Sequence, residues 1–289
     1  MRQKYGITHL LGPSIELTTM IGCPLKCTFC PQDNLKSKYG KKDKYLSLKN
    51  LIQILNKIPK NTRIDFSGMA EPWANPNCTE MLEKVLTSGF NIAIYTTLYG
   101  MDDYEKVKNI LEQFSAQIEA VVLHLPDANS NMRGWKYSDK WINALKTIAS
   151  ADIACGIQAM TMDGSGRVHP VLESIVGKLD AWTGHTRADS LNTQQIKEQA
   201  IRKSPLNDFS LTCASSPFYD RNVLLPNCDL VLCCMDYNLK HIIGNLLTQS
   251  YIEIFQSSKL QDIIKTNEKL GFTKCSICKS CDNVKPIYK

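Results

Sequence analysis

Residues 14–30 read SIELTTMIGCPLKCTFC, and the two halves of this stretch set the fold and the chemistry. The first seven residues, rich in Ile, Leu and Thr, have the composition of a short strand. A loop with Cys23, Cys27 and Cys30 follows directly. Strand-like runs recur at 63–66, 91–96, 120–125 and 153–160, with a sixth expected at 180–186. Helical spacing fills the intervals at 47–57, 79–88, 102–114, 138–150 and 169–178, with Ser47 and Asp102 as expected N-caps. Repeated β–α steps of ~25–35 residues imply a parallel sheet covered by helices. An open doubly wound sheet and part of a (β/α) barrel both satisfy this pattern. In either, the ligand site lies at the carboxyl ends of the strands, where the cysteine loop falls.

The chain has 289 residues, 43% of them hydrophobic, and a net charge of +6. That suits a sizeable core with an appendage. The densest basic run holds Lys36, Lys38, Lys41, Lys42 and Lys44 and reads as a solvated loop. A nucleic-acid groove would need a longer basic stripe with interleaved aromatics, so nucleic acid is not an expected partner. No apolar run approaches the ~18 residues of a membrane span, and the N-terminus lacks a secretory h-region. The expectation is a soluble cytoplasmic protein with no membrane contact. In a reducing compartment, clustered cysteines read as metal ligands rather than disulfides. Ten of the twelve cysteines are clustered, three at 23–30 and seven at 213–281; Cys78 and Cys155 stand apart and read as small buried hydrophobes.

Three thiolates in one tight loop bind three irons of a cubane cluster and leave the fourth iron open to a ligand. A zinc knuckle with a remote fourth ligand is the alternative. The C-x3-C-x2-C spacing, with Phe29 before the last cysteine, resembles the signature of the radical S-adenosylmethionine (SAM) superfamily. The segment Ser67-Gly68-Met69-Ala70-Glu71-Pro72 resembles the family's glycine-glycine-glutamate-proline segment, with Ala70 in place of the second glycine. The resemblance implies a partial (β/α)6, TIM-like barrel over residues 1–190. It implies a SAM-binding [4Fe–4S] cluster on Cys23, Cys27 and Cys30, with Gly68 and Glu71 at the SAM amino group. By position on later strand ends, Thr96 and His124 are expected near the ribose or substrate, and Arg187 near the SAM carboxylate.

The C-terminal cysteines follow a pattern of their own: Cys213, then Cys228 and the pair Cys233-Cys234, then Ile243-Gly244-Asn245-Leu246, then Cys275, Cys278 and Cys281. This resembles the SPASM/twitch appendage of radical SAM enzymes, in which a Gly-Asn-Leu turn enters a helix and the cysteines bind an auxiliary [4Fe–4S] cluster. The one departure is Cys228, where the pattern has glycine. The implied ligands are Cys213, Cys233, Cys278 and Cys281, with Cys275 a rival for one of the last two places. A linker is expected at 191–207 and the auxiliary domain at 208–289. Neighbouring strand residues face opposite sides, so Cys233 and Cys234 should not both reach one cluster. Cys228 or Cys234 is then a spare thiol or a hydrogen-atom donor.

Only twenty-two residues precede Cys23, too few for a separate peptide-binding module of ~80 residues. By resemblance, small twitch enzymes oxidise or epimerise sugars and aminocyclitols. The expectation is hydrogen abstraction at a carbinol carbon of a sugar-like small molecule, giving epimerisation or dehydrogenation. An electron donor such as flavodoxin or ferredoxin would supply the reductant. The alternatives are modification of a peptide, and a non-catalytic zinc or iron–sulfur protein.

Overall fold

The computed structural model describes residues 12–40, 42–177, 179, 187–188, 190, 210–269 and 277–287. In chain order these form β1 (Ser14–Leu17), α1 (Gln32–Tyr39), α2 (Leu48–Leu55), β2 (Arg63–Phe66), α3 (Cys78–Thr87), β3 (Ile92–Thr96), α4 (Tyr104–Gln113), β4 (Ile118–Leu125), α5 (Asp139–Ala149), β5 (Ile157–Thr161) and α6 (Glu173–Val176). There follow β6 (Ser210–Cys213), β7 (Arg221–Leu224), β8 (Asp229–Val231), β9 (Ile242–Asn245), α7 (Tyr251–Phe255), α8 (Ser258–Glu268) and β10 (Val284–Ile287). One eight-stranded sheet runs β5-β4-β3-β2-β1-β7-β8-β9, and β10 pairs with β6 in a small second sheet. Strands β1 to β5 are parallel neighbours, as the alternating pattern requires.

The parallel strands carry two different faces. Ile15, Leu17, Ile64, Phe66, Ile92, Ile94, Val121 and Leu123 point to the helices and share the main core with Leu51, Leu82, Val85 and Leu145. The alternate positions are mostly polar or small: Ser14 and Glu16 on β1, Arg63 and Asp65 on β2, Ala93 and Tyr95 on β3, Ala120 and His124 on β4, with Val122 the apolar exception. Successive strand residues face opposite sides, so this second set lines the concave interior.

Several boundaries move. Ser47 caps α2 by accepting from the Asn50 amide at 3.1 Å, and Ser138 caps α5 through the Trp141 amide at 3.2 Å. Asp102 is not the cap of α4; Asp103 holds that position, without a side-chain cap bond. The start of the run at 153–160 is a turn, and the strand begins at Ile157. Half of the basic run is helix rather than loop: α1 buries Leu35 and Tyr39 and turns its lysines outward. Gly244 and Asn245 lie in β9 rather than in a turn. The expected sixth strand, the linker and Cys275 lie outside the described residues. Among those residues no helix is long and apolar enough to cross a membrane.

The C-terminal strands do not stand apart from the barrel. β7 pairs with β1 in parallel register, Glu16 beside Val223 and Ser14 beside Arg221, and β8 and β9 extend the sheet antiparallel.

Candidate functional site

A cavity of about 350 Å³ opens at the carboxyl ends of the strands and inside the concave face. Cys23, Cys27, Cys30 and Phe29 form one wall, and the segment 67–71 forms the next. Two contacts shape the cysteine loop. Gln32 accepts from the Cys23 amide through Oε1 at 3.3 Å and donates through Nε2 to the Met69 carbonyl, tying the loop to the segment after β2. The loop after β4 lies along the other side: the Thr28 amide donates to the Asn131 carbonyl at 3.0 Å, and the Gly134 amide to the Leu25 carbonyl at 2.6 Å. A Cβ on Gly134 would run into the Pro24 carbonyl oxygen, so the two loops close up only over glycine.

Burial first, and then mutual repulsion, push the Cys23 thiol up to about 11 and Cys27 higher still. Cys23 and Cys27 thiolates in this enclosure are therefore favoured by a neighbouring positive charge. The donor set fits an iron–sulfur cluster by its own chemistry.

Gly68 sits at φ +65°, and a Cβ there would lie 2.6 Å from Thr18 Oγ1 and 2.7 Å from its amide nitrogen. Thr18 Oγ1 also accepts from the Met69 amide at 3.0 Å, so the segment lies flat against β1. Glu71 is 4% exposed. Its Oε1 accepts from Thr96 Oγ1 at 2.6 Å and the Trp73 amide at 3.3 Å. Its Oε2 accepts from the Thr97 amide and hydroxyl, both at 2.7 Å. Four donors from this chain thus occupy the carboxylate expected to meet an amine. Thr96 serves Glu71 and does not line the cavity; Tyr95 and Thr97 do.

His124 lies on the cavity wall with its ring 6.0 Å from Tyr95. Burial, and secondarily the Arg187 charge, lower its pKa to about 4, so it is neutral at pH 7. Arg187 also lines the cavity, with its guanidinium 5.7 Å from the Tyr237 ring centre. Tyr237 OH and Cys30 Sγ share a hydrogen bond at 3.6 Å.

The floor holds charges that sequence reading passed over. Glu16 and Asp65 are direct register partners on β1 and β2. Arg63 grips Asp65 with two bonds, Nε to Oδ1 at 2.6 Å and NH2 to Oδ2 at 2.9 Å, and reaches Glu119 at 3.1 Å. Glu16 accepts from Ser67 Oγ at 3.1 Å, and the Cys234 thiol lies within its electrostatic reach. Burial and the neighbouring Asp65 raise the Glu16 pKa. The missed signal was polar residues at every second position of two strands whose other positions are wholly apolar, the mark of a polar interior face.

The cysteine pair after β8 splits between two places. Cys234 lines the cavity. Cys233 stands within electrostatic reach of Cys278 and Cys281, and Cys281 within reach of Cys278 and Cys213. Cys213 ends β6, with its sulfur 3.3 Å from the Ser216 amide. Electrostatics thus link these four thiols, although among the described residues no three His, Cys or acidic side chains converge closely enough to hold a metal ion. Cys228 belongs to neither: it is wholly buried at the β7–β8 turn with φ +64°, its sulfur 3.9 Å from the Pro226 carbonyl. It takes the left-handed conformation that glycine would adopt freely. It is enclosed and does not line the cavity.

The sequence matches the Radical SAM superfamily over residues 17–169 and the iron–sulfur cluster-binding SPASM domain over residues 213–282. A comparison with curated protein sequences finds no match. Among solved structures, BtrN in complex with AdoMet and 2-DOIA superposes with TM-score 0.61 at 16% identity, covering 96% of this chain and 94% of BtrN. Native anSMEcpe with bound AdoMet and Cp18Cys peptide superposes with TM-score 0.54 at 13% identity, covering 92% of this chain and 90% of that one. At these identities the likeness is one of fold. With a family match across more than half its length, the chain belongs to the radical SAM superfamily, carries a C-terminal SPASM domain, and works with [4Fe–4S] clusters and S-adenosylmethionine.

Proposed function

We propose that this enzyme abstracts a hydrogen atom from a carbinol carbon of a sugar-like or aminocyclitol molecule and returns one from Cys234, inverting that carbon. The observation that carries this reading is the Cys234 thiol on the cavity wall, within electrostatic reach of Glu16. When bound, the SAM-binding cluster and SAM supply a 5′-deoxyadenosyl radical. Cys23, Cys27 and Cys30 hold the cluster, and Gln32 fixes their loop against the segment 67–71. With the Glu71 oxygens taken by Thr96, Thr97 and Trp73, the backbone of that segment is left to meet the SAM amine. Glu71 then acts as a clamp joining the ends of β2 and β3.

The floor suits a hydroxylated occupant. Glu16 and Asp65 offer acceptors, and Arg63, Arg187 and Arg221 line the same space. Cys213, Cys233, Cys278 and Cys281 are the proposed auxiliary ligands. A thiol S–H is weak enough to give its hydrogen atom to a carbon radical. Restoring the thiol takes one electron, from the same external donor that reduces the cluster, and one proton, which Glu16 beside it can give. Dehydrogenation is the second outcome open to the same abstraction. BtrN, whose fold this chain shares, was crystallised with the small molecule 2-DOIA as well as AdoMet. The peptide seen with anSMEcpe belongs to the rival reading.

The test is anaerobic reconstitution, then incubation with SAM, dithionite and a panel of amino sugars and aminocyclitols in D2O. The expected product is an epimer with one solvent deuterium at the inverted carbon. Cys234→Ala should still form 5′-deoxyadenosine but lose the epimer and its deuterium. Epimer formation by Cys234→Ala at the wild-type rate sinks the donor assignment. Turnover confined to peptides sinks the substrate class.

A further inference from the structure

The basic run at 36–44 has no part in the chemistry above, yet the fold places it against the cysteine loop. Helix α1 begins two residues after Cys30, and its lysines face outward. A recess of about 350 Å³ opens there, lined by Ile21, Gly22, Lys36, Tyr39, Lys42 and Lys44. Gly22 lines this recess while Cys23, the next residue, lines the catalytic cavity. One turn of chain thus separates the outer recess from the first cluster ligand. Five exposed lysines, Lys26, Lys36, Lys38, Lys42 and Lys44, stand here against two exposed acids, Asp33 and Asp43. Lys36 pairs with Asp33 at 2.5 Å and Lys42 with Asp229 at 3.2 Å, so the lysines are held in place while the patch keeps its positive excess.

The reductive step of this family takes an electron from outside, and SAM and substrate fill the inner cavity. We infer that the Lys36–Lys44 face is the docking surface for a small acidic one-electron carrier protein, which delivers its electron through residues 21–23. Charge complementarity of this kind speeds encounter and orients the partner without requiring a large interface. Redox encounters are typically small and short-lived, in keeping with a patch built from one helix and one loop. The position beside the cluster loop also gives the electron a short protein path, from Gly22 to Cys23.

The test uses the reconstituted full-length holoenzyme with flavodoxin as the acidic carrier. SAM cleavage is driven in parallel by reduced flavodoxin and by dithionite. Flavodoxin binding is measured separately at low and high salt, so that arm stands whatever the turnover. The combined variant Lys36→Glu, Lys38→Glu, Lys44→Glu should lose about tenfold or more in flavodoxin-driven rate and binding. Its dithionite-driven rate should stay within about twofold of wild type. The neutral variant with Gln at the same three positions should fall in between, and wild-type binding should weaken steeply with salt. Equal flavodoxin-driven rates in wild type and variant overturn the inference. So does salt-independent binding, or binding of polyglutamate with none of flavodoxin.

Discussion

His124 is an imidazole held neutral in the cavity wall, and its titration gives a residue-scale prediction. Its pKa is about 4 in the folded protein, against an ordinary value of 6.5. The unfolded chain therefore binds the extra proton first as pH falls. Stability from this group is intact above about pH 6.5 and is lost progressively down to about pH 4, by about 3 kcal/mol at most. Glu16, Asp65 and Glu71 shift the opposite way, with pKa values raised by burial, and oppose this trend. The clean readout is thus a difference. Melting temperatures of wild type and His124→Gln should converge as pH drops from 7 to 5. A constant gap across that range would mean that His124 is not held neutral. At this scale much of the site was legible. Cys23, Cys27, Cys30, Phe29, Gly68, Glu71, His124, Arg187 and Cys234 all line one cavity. Glu16 and Asp65 were missed although they carry the alternating polar signal of an inward strand face, and Gln32 was not legible because it acts through Met69, far away in sequence.

Among the elements, the segment after β2 carries the most constrained backbone at the site. Gly68 has both a positive φ and no room for a Cβ against Thr18. Gly68→Ala must push this segment off β1, breaking the Met69 amide bond to Thr18 and shifting the Gln32 contact with Met69. The expected cost is about 2–3 kcal/mol, from backbone strain and a lost buried hydrogen bond. SAM binding by the reconstituted protein should fall along with the melting temperature. Unchanged SAM affinity in Gly68→Ala would remove this segment from the SAM site. The periodic pattern located the elements well where one face is apolar, as in α3, α5 and β4. It missed α1, whose apolar face is only Leu35 and Tyr39 among polar residues. It also missed β9, whose Gly-Asn end reads as a turn until its pairing with β8 is known.

For the whole molecule, the sheet order changes what the C-terminal region does. Because β7 lies directly beside β1, residues from both regions build one cavity: Glu16 and Cys23 from the first, Cys234 and Tyr237 from the second. Ending the chain at residue 209 would strip β1 of a neighbour and open the cavity on one side. An unpaired parallel edge next to apolar Ile15 and Leu17 is an association surface. The truncated protein should elute as aggregate in size-exclusion chromatography and fail to hold its first cluster. A monomeric fragment with a stable cluster would show instead that residues 1–190 form a self-sufficient domain.

The sequence by itself determined the parallel α/β class, through alternating apolar strands and helices whose buried faces repeat with fixed periods. It carried the resemblance to the radical SAM superfamily too, in three thiols within eight residues that the chain itself brings together whatever the rest does. Tertiary structure alone decided which spare thiol reaches the cavity, since Cys228 and Cys234 differ only in how β8 and its turn pack. It alone put Glu16 beside Asp65 and Cys234, and saturated Glu71 with donors from β3. These are contacts between strands remote in sequence, fixed by register and sheet order rather than by local pattern.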